Sequence, residues 1–195
     1  MDVSFLTSFL LMLGYGSFHS LLASRPTKEK ARHLFGPVIG RMYRLMFSTV
    51  AFLTLIPIIL LLVWHPGPVL YLLGGLPAVL AVAGESVSLL LFLIALLQSR
   101  PVSFLGLRQP GDRTEKSMLH TTGAYGIVRH PLYITALAMF WLTPVMTTGI
   151  LGVNAGATLY ILIGSELEER RLIAEFGEDY RRYKSKVARF IPFLF

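Results

Sequence analysis

Apolar residues along this chain come in long unbroken runs rather than in the spaced stripes of a water-soluble helix. Five runs stand out, at about 3–23, 42–64, 78–97, 132–147 and 150–164. Several approach the roughly 20 residues that an α-helix needs to cross the hydrocarbon core of a bilayer. The apolar tract 69–97 is too long for one untilted span, and its Gly74-Gly75-Leu76-Pro77 break predicts a short lead-in before the third span. The fourth and fifth runs are short, and only Thr147-Thr148-Gly149 separates them, which predicts a tight helical hairpin. The pattern as a whole predicts an all-α, polytopic integral membrane protein with about five transmembrane helices.

Past the fifth run the pattern changes. Glu166–Lys186 is strongly charged, yet Leu167, Leu172, Ile173, Phe176, Tyr180 and Tyr183 recur at helix-like spacings. That predicts an amphipathic helix against the membrane surface or a cytoplasmic cap, interrupted at Gly177. The organisation expected is therefore residues 1–98 as N-terminal membrane spans and 99–195 as a catalytic region, made of the last hairpin and a cytoplasmic C-terminal helix.

Composition sharpens this picture. The chain is 54% hydrophobic and only 15% charged, with a mean hydropathy of +0.63, which excludes an ordinary soluble domain. Only Asp2 precedes the first run as a charge, so that run does not read as a cleaved signal peptide. There is no cysteine. Disulfides, thiolate metal sites and an enzyme thiol nucleophile are thereby excluded, and no metal is expected.

The 18 Lys and Arg fall in three segments: 25–44, 100–129 and 170–189. Five alternating spans put all three on one face, which the positive-inside rule makes cytoplasmic. The expectation is an N-terminus outside and a C-terminus inside, in a bacterial inner membrane. The net charge of +7 then faces anionic headgroups and calls for the lipid bilayer as partner, with no nucleic acid.

Candidate chemistry gathers at the ends of the last two runs. In Gly123-Ala124-Tyr125-Gly126-Ile127-Val128-Arg129-His130-Pro131-Leu132-Tyr133, Pro131 suits the first position of a helix. The free N–H groups of that turn, with Arg129 and His130 beside them, read as an anion site. An interfacial anchor of Arg and Tyr is the simpler alternative. Glu166, Glu168 and Glu169 follow the fifth run, where the helix dipole disfavours anions, and either pair with Arg170 and Arg171 or hold a ligand's ammonium. An anion pocket facing a carboxylate fits a zwitterion. Two polar residues lie inside spans: Glu85, a bonded structural carboxyl or a cavity-facing substrate group, and His19, a structural residue or an acceptor-side base.

The pattern Gly-x-Tyr-x-x-x-Arg-His-Pro-x-Tyr, then a hairpin, then Glu168-Glu169 and Phe176-Gly177-Glu178-Asp179-Tyr180, resembles the isoprenylcysteine carboxyl methyltransferase and phospholipid methyltransferase superfamily. Within about residues 105–192, the tracts Phe104–Gln109, Thr143–Thr147 and Tyr160–Gly164 are most similar to its methanethiol S-methyltransferase branch. Phe18-His19-Ser20-Leu21-Leu22-Ala23-Ser24-Arg25 resembles that branch and the NnrU-like proteins.

The resemblance implies S-adenosylmethionine as cofactor, held by Gln109, Ser117, Met118, Leu119, His120, Tyr125, His130, Pro131, Leu132, Tyr133 and Glu168. Arg129, His130 and His19 become the catalytic candidates. Glu85, Phe104 and Gly164 become the substrate-side candidates. Gly164 stands where prenylcysteine enzymes carry an Arg for the substrate carboxylate, which points to a small thiol or another lipid-soluble acceptor. Two alternatives accompany this reading: an NADPH-dependent membrane reductase resembling sterol reductases, and a non-catalytic NnrU-like membrane component.

Overall fold

The structure, a computed structural model, describes residues 2–36, 39–99 and 119–192. Helices dominate: α1 (Val3–Ala23), α2 (Arg25–Phe35), α3 (Ile39–Trp64), α4 (Gly75–Gln98), α5 (Ala124–Ile127), α6 (Pro131–Trp141), α7 (Thr148–Phe176) and α8 (Glu178–Lys184). Two short strands, β1 (Val69–Leu72) and β2 (Val145–Thr147), pair with each other. Among the described residues, four helices, α1, α3, α4 and α7, are long and apolar enough to cross a membrane. Their large apolar side chains are mostly exposed, as Leu10, Phe52, Val63, Leu80 and Leu90 illustrate. That is the surface a lipid-solvated protein presents, and the protein is an integral membrane protein.

The chain forms two compact units. The first takes in the chain up to Leu70 together with Met146–Ala157. Met12 of α1, Ile58 of α3 and Ala157 of α7 are its buried apolar centre. Glycine lets α7 approach α1 closely. A Cβ at Gly152 would overlap the Phe5 carbonyl and reach 3.0 Å from Ser8 Cβ, and one at Gly156 would lie 3.0 Å from Met12 Cβ. Spaced four apart, both glycines lie on one face of α7. At the end of α3, the Thr148 and Gly149 amides donate to the carbonyls of Pro68 and Pro66, 3.0 and 2.9 Å away. The Thr148 hydroxyl donates to Asp2. The start of α1, the end of α3 and the start of α7 thus meet at one level.

The second unit contains α4, α5, α6, α8 and the remainder of α7. At one end, the Leu73 amide donates to Pro144 O over 2.9 Å, just before α4 begins. At the other, Gln98 closes α4 and its Oε1 accepts from the Ala124 amide at 2.8 Å. Residues 124–144 therefore travel the whole length of α4, about 36 Å at 1.5 Å per residue.

The helical hairpin expected at 132–147 and 150–164 takes a different form. Only residues 131–141 of the fourth run are helical, a rise of about 16 Å. Pro144 has no N–H to give, and the residue before a proline is pushed out of the helical region, so α6 stops short. The chain finishes the traverse outside any helix, with Pro144 O accepting from the Leu73 amide and Thr143 O from the Tyr71 hydroxyl. The Gly74-Gly75 break does end a lead-in, and that lead-in is strand β1. Gly177, with φ of +56°, does interrupt the tail and separates α7 from α8.

The close approach at Gly152 generates a stability prediction. Gly152→Val should lower the thermal unfolding midpoint in detergent, by an overpacking cost of about 1–3 kcal/mol. Among the described residues, a Cβ at Gly164 meets nothing within 4 Å, so Gly164→Ala should leave that midpoint unchanged or raise it slightly.

Candidate functional site

The site is built in the second unit, around the junction of α5, α6, α7 and α8. Gly123 makes the junction possible. Its φ of +62° suits glycine, and a Cβ there would collide with the Gln98 carboxamide that caps α5. The space a side chain would fill at Gly123 is taken by Gln98. Pro131 occupies the first turn of α6, as its missing N–H favours.

Arg129 and His130 lead into that helix, and the tail after α8 runs alongside them. Val128 and Ala188 form a parallel bridge. The Arg129 and His130 amides donate to the carbonyls of Ala188 and Arg189, at 2.8 and 3.2 Å.

The three glutamates of the charged tract part company. Glu166 is a surface group, paired with Arg170 at 3.1 Å and Arg189 at 3.0 Å. Glu169 is 1% exposed and collects hydrogen-bond donors and cations from several directions. Arg129 Nε and His130 Nε2 lie 2.8 and 3.2 Å from its Oε1, and Lys184 Nζ lies 2.8 Å from its Oε2. Arg189 Nε approaches Oε1 to 3.6 Å. The Arg129 guanidinium also donates to the carbonyls of Lys184 and Val187. The positive charge expected to hold a ligand anion is thus matched by the chain's own carboxylate and tail. Glu168 is half exposed and takes the Tyr133 hydroxyl at 2.8 Å on Oε2.

A cavity of about 350 Å³ opens on this junction. Of the sequence-expected cofactor residues, Leu119, His120, Tyr125, His130 and Glu168 line it, joined by Arg129. Tyr133 stands behind, stacked on His130 with ring centres 5.3 Å apart and planes within 9°. Pro131 and Leu132 shape the turn. Gln109, Ser117, Met118 and Phe104 lie outside the described residues. His19 belongs to the first unit, where it packs against Tyr15 and Phe47. Glu85 lies half-buried on α4 and Gly164 on α7, neither on the cavity wall.

The wall also includes Ser99, Leu172, Phe176, Tyr180 and Tyr183. Four of these stood out in the sequence only as an apolar stripe. The signal available was register: positions 168, 172 and 176 share one helical face with the glutamate. Burial pushes the phenols of Tyr125 and Tyr180 up, and that of Tyr183 up to about 12. At neutral pH they are uncharged donors. The Tyr183 hydroxyl donates to Tyr125 O and ties α8 to α5. Burial also holds the His130 imidazole below its ordinary range, against the opposing pull of Glu168 and Glu169.

The His130 imidazole, the carboxylates of Glu168 and Glu175, the Arg129 guanidinium, several phenols and apolar side chains converge here, a set suited to a cationic or zwitterionic small molecule. Comparison with known proteins decides the family. No protein-family profile matches the chain. It is 34% identical, over 97% of its length and 74% of the relative's, to methanethiol S-methyltransferase 2 of Bradyrhizobium diazoefficiens. It is 29% identical, over 98% of its length and 77% of the relative's, to a methanethiol S-methyltransferase of Crocosphaera subtropica. The chain belongs to the methanethiol S-methyltransferase family.

It is a membrane methyltransferase, an enzyme class that works with a methyl donor. A shorter stretch, 36% of the chain and 27% of the relative, is 50% identical to a methanethiol S-methyltransferase of Pseudomonas deceptionensis. These relatives do not favour the sterol-reductase-like or NnrU-like alternatives. No solved structure matches the chain.

Two predictions follow from the buried charges. Glu169→Ala leaves the Arg129 side chain, 7% exposed, without its carboxylate, and should cost about 3–5 kcal/mol in denaturant unfolding. Replacing the solvent-facing Glu166 should leave the unfolding midpoint nearly unchanged. His130 gives the pH dependence. Its folded-state pKa lies below the unfolded value of about 6.5, so the unfolded state binds more protons there. The contribution of His130 to stability is complete above that pH and is lost as pH falls through and below it. His130→Gln should flatten this acid limb of the unfolding midpoint against pH.

Proposed function

We propose that this enzyme transfers a methyl group from S-adenosylmethionine to a small thiol of the methanethiol kind, at the cytoplasmic face of a bacterial inner membrane. The observation that carries the reading is that Leu119, His120, Tyr125, His130 and Glu168, all cofactor positions by resemblance, line one cavity. Its volume lies within the range of small-molecule sites.

The residues present fit the donor. The half-exposed Glu168 carboxylate, oriented by the Tyr133 hydroxyl, takes the ammonium of the methionine end. Tyr125, Phe176 and Tyr183 offer aromatic faces to a cationic and heteroaromatic ligand. S-adenosylmethionine supplies a methyl group activated on a sulfonium. Leu119, Leu172 and Phe176 keep water from an acceptor thiolate, which raises its reactivity towards a cationic centre. A free thiol is mostly protonated at neutral pH, so a proton acceptor at the wall assists. The acceptor itself is read from the relatives' names and from the resemblance, in which Gly164 stands where prenylcysteine enzymes carry an Arg for the substrate carboxylate.

Orientation follows from charge. The segments 25–44, 100–129 and 170–189 carry every Lys and Arg. Residues 131–144, running along α4, supply the fifth crossing that puts all three on the cytoplasmic side, with the N-terminus outside. The catalytic region of residues 99–195 then builds a cytoplasmic cap around the last hairpin, on the side where the methyl donor is made.

Calorimetry on the detergent-solubilised protein tests the donor. S-adenosylhomocysteine should bind, and Glu168→Ala should weaken it by about 10- to 100-fold, the worth of one hydrogen bond to a charged group. No binding by the folded protein would sink the reading. Labelled donor offered with methanethiol, prenylcysteines and phospholipids tests the acceptor. The expected product is the methyl thioether, and methylation of a prenylcysteine carboxylate instead would overturn the thiol assignment.

A further inference from the structure

Glu169 and His130 have a relationship that the cofactor reading does not use. The two oxygens of the Glu169 carboxylate are engaged by Arg129 and Lys184, each at 2.8 Å, in an environment only 1% exposed. Two fixed cations keep it ionised, and an ionised carboxylate can only accept hydrogen bonds. His130 Nε2, 3.2 Å from Oε1, must therefore carry the hydrogen. A neutral imidazole has one N–H, so Nδ1 is bare.

Nδ1 stands 3.8 Å from Glu168 Oε2, which is itself an acceptor and already holds the Tyr133 hydroxyl. Two acceptors thus face each other at the cavity wall, 3.8 Å apart, with no hydrogen of their own to share. The ring cannot swing away. Tyr133 stacks on it, and Phe190 packs 5.7 Å from it.

We infer that Glu169 is a positioning residue that fixes His130 as the Nε2–H tautomer, and that Nδ1 with Glu168 forms a two-acceptor subsite for a donor group of the ligand. The chemical class is N–H of an ammonium or S–H of a thiol. An ammonium would be held there by two hydrogen bonds. With a thiol, the S–H bond breaks with its electron pair left on sulfur and an N–H bond forms at Nδ1, leaving an imidazolium between two carboxylates. The groups facing the ring are Glu168 and Glu169 from α7, Tyr133 from α6, and Arg189 and Phe190 from the tail, with Arg129 sharing Glu169 Oε1. Burial keeps the imidazole neutral at pH 7. The ligand's identity rests on the methyltransferase reading; the tautomer does not.

Nitrogen-15 NMR of the histidine-labelled full chain in detergent tests both parts. The wild-type protein should show His130 with a protonated Nε2 and a bare Nδ1. Glu169→Gln should blur that pattern, because a carboxamide donates as well as accepts. S-adenosylhomocysteine should shift the Nδ1 resonance if an ammonium fills the subsite. Methanethiol, added with S-adenosylhomocysteine present, should shift it if the thiol does, and either response supports the subsite. An Nδ1–H tautomer in the wild-type protein overturns the positioning role without recourse to any variant. An Nδ1 resonance that ignores both ligands, while calorimetry shows S-adenosylhomocysteine bound, overturns the subsite. Absent binding in calorimetry would count against the methyltransferase reading, and the tautomer would still decide the role of Glu169.

Discussion

The buried carboxylate of Glu169 is the constraint on which the site depends. A charge taken out of water must be matched at short range, and this one is matched by groups from three separate stretches of chain. Arg129 and His130 come from the turn before α6, Lys184 from the end of α8, and Arg189 from the tail. Without that carboxylate, the turn and the tail would present cations to each other. With it, the tail runs beside Val128–His130 and its carbonyls complete the turn's hydrogen bonds. A membrane protein has few apolar contacts to spare at its water-facing end, because its apolar side chains are turned to lipid. Charge matching takes over the role that a hydrophobic core plays elsewhere.

Much of this was legible in the sequence, for identifiable reasons. Apolar runs near 20 residues long have few structural outcomes, so α1, α3, α4 and the start of α7 lie where the pattern puts them. Pro131 marks the start of a helix because a residue without an N–H loses nothing there. The fourth run misled, because its composition is apolar through residue 147 while Pro144 stops the helix. Hydropathy measures affinity for lipid, and it does not register a missing donor.

The division of labour among the glutamates was beyond reach. Glu166, Glu168 and Glu169 are one tract in the sequence, yet one faces solvent, one the cavity and one the buried clamp. Successive helical residues lie about 100° apart, so neighbouring carboxylates look at different surroundings. Which surroundings they meet depends on where the tail returns. Nothing local to Lys184 or Arg189 marks them as partners of a residue fifteen or twenty positions earlier.

The short helix and the clamp answer the same geometric demand. A site at a membrane surface needs polar groups at the water-facing end of an element whose other end lies deep in lipid. Pro131 starts α6 at the charged junction, so Tyr133 sits within the first turn and reaches Glu168 while the following residues are apolar. The helix then ends early, and its non-helical continuation has backbone groups that lipid cannot satisfy. Leu73 and Tyr71 supply bonds there, so one end of the traverse is held by backbone pairing and the other by the Glu169 charges. Held at both ends, α6 has little freedom to slide along α4, and the His130–Tyr133 stack inherits that fixity. Methyl transfer depends on alignment more than on strong acid or base chemistry. A turn fixed in this way is therefore a more useful device than an additional reactive side chain would be.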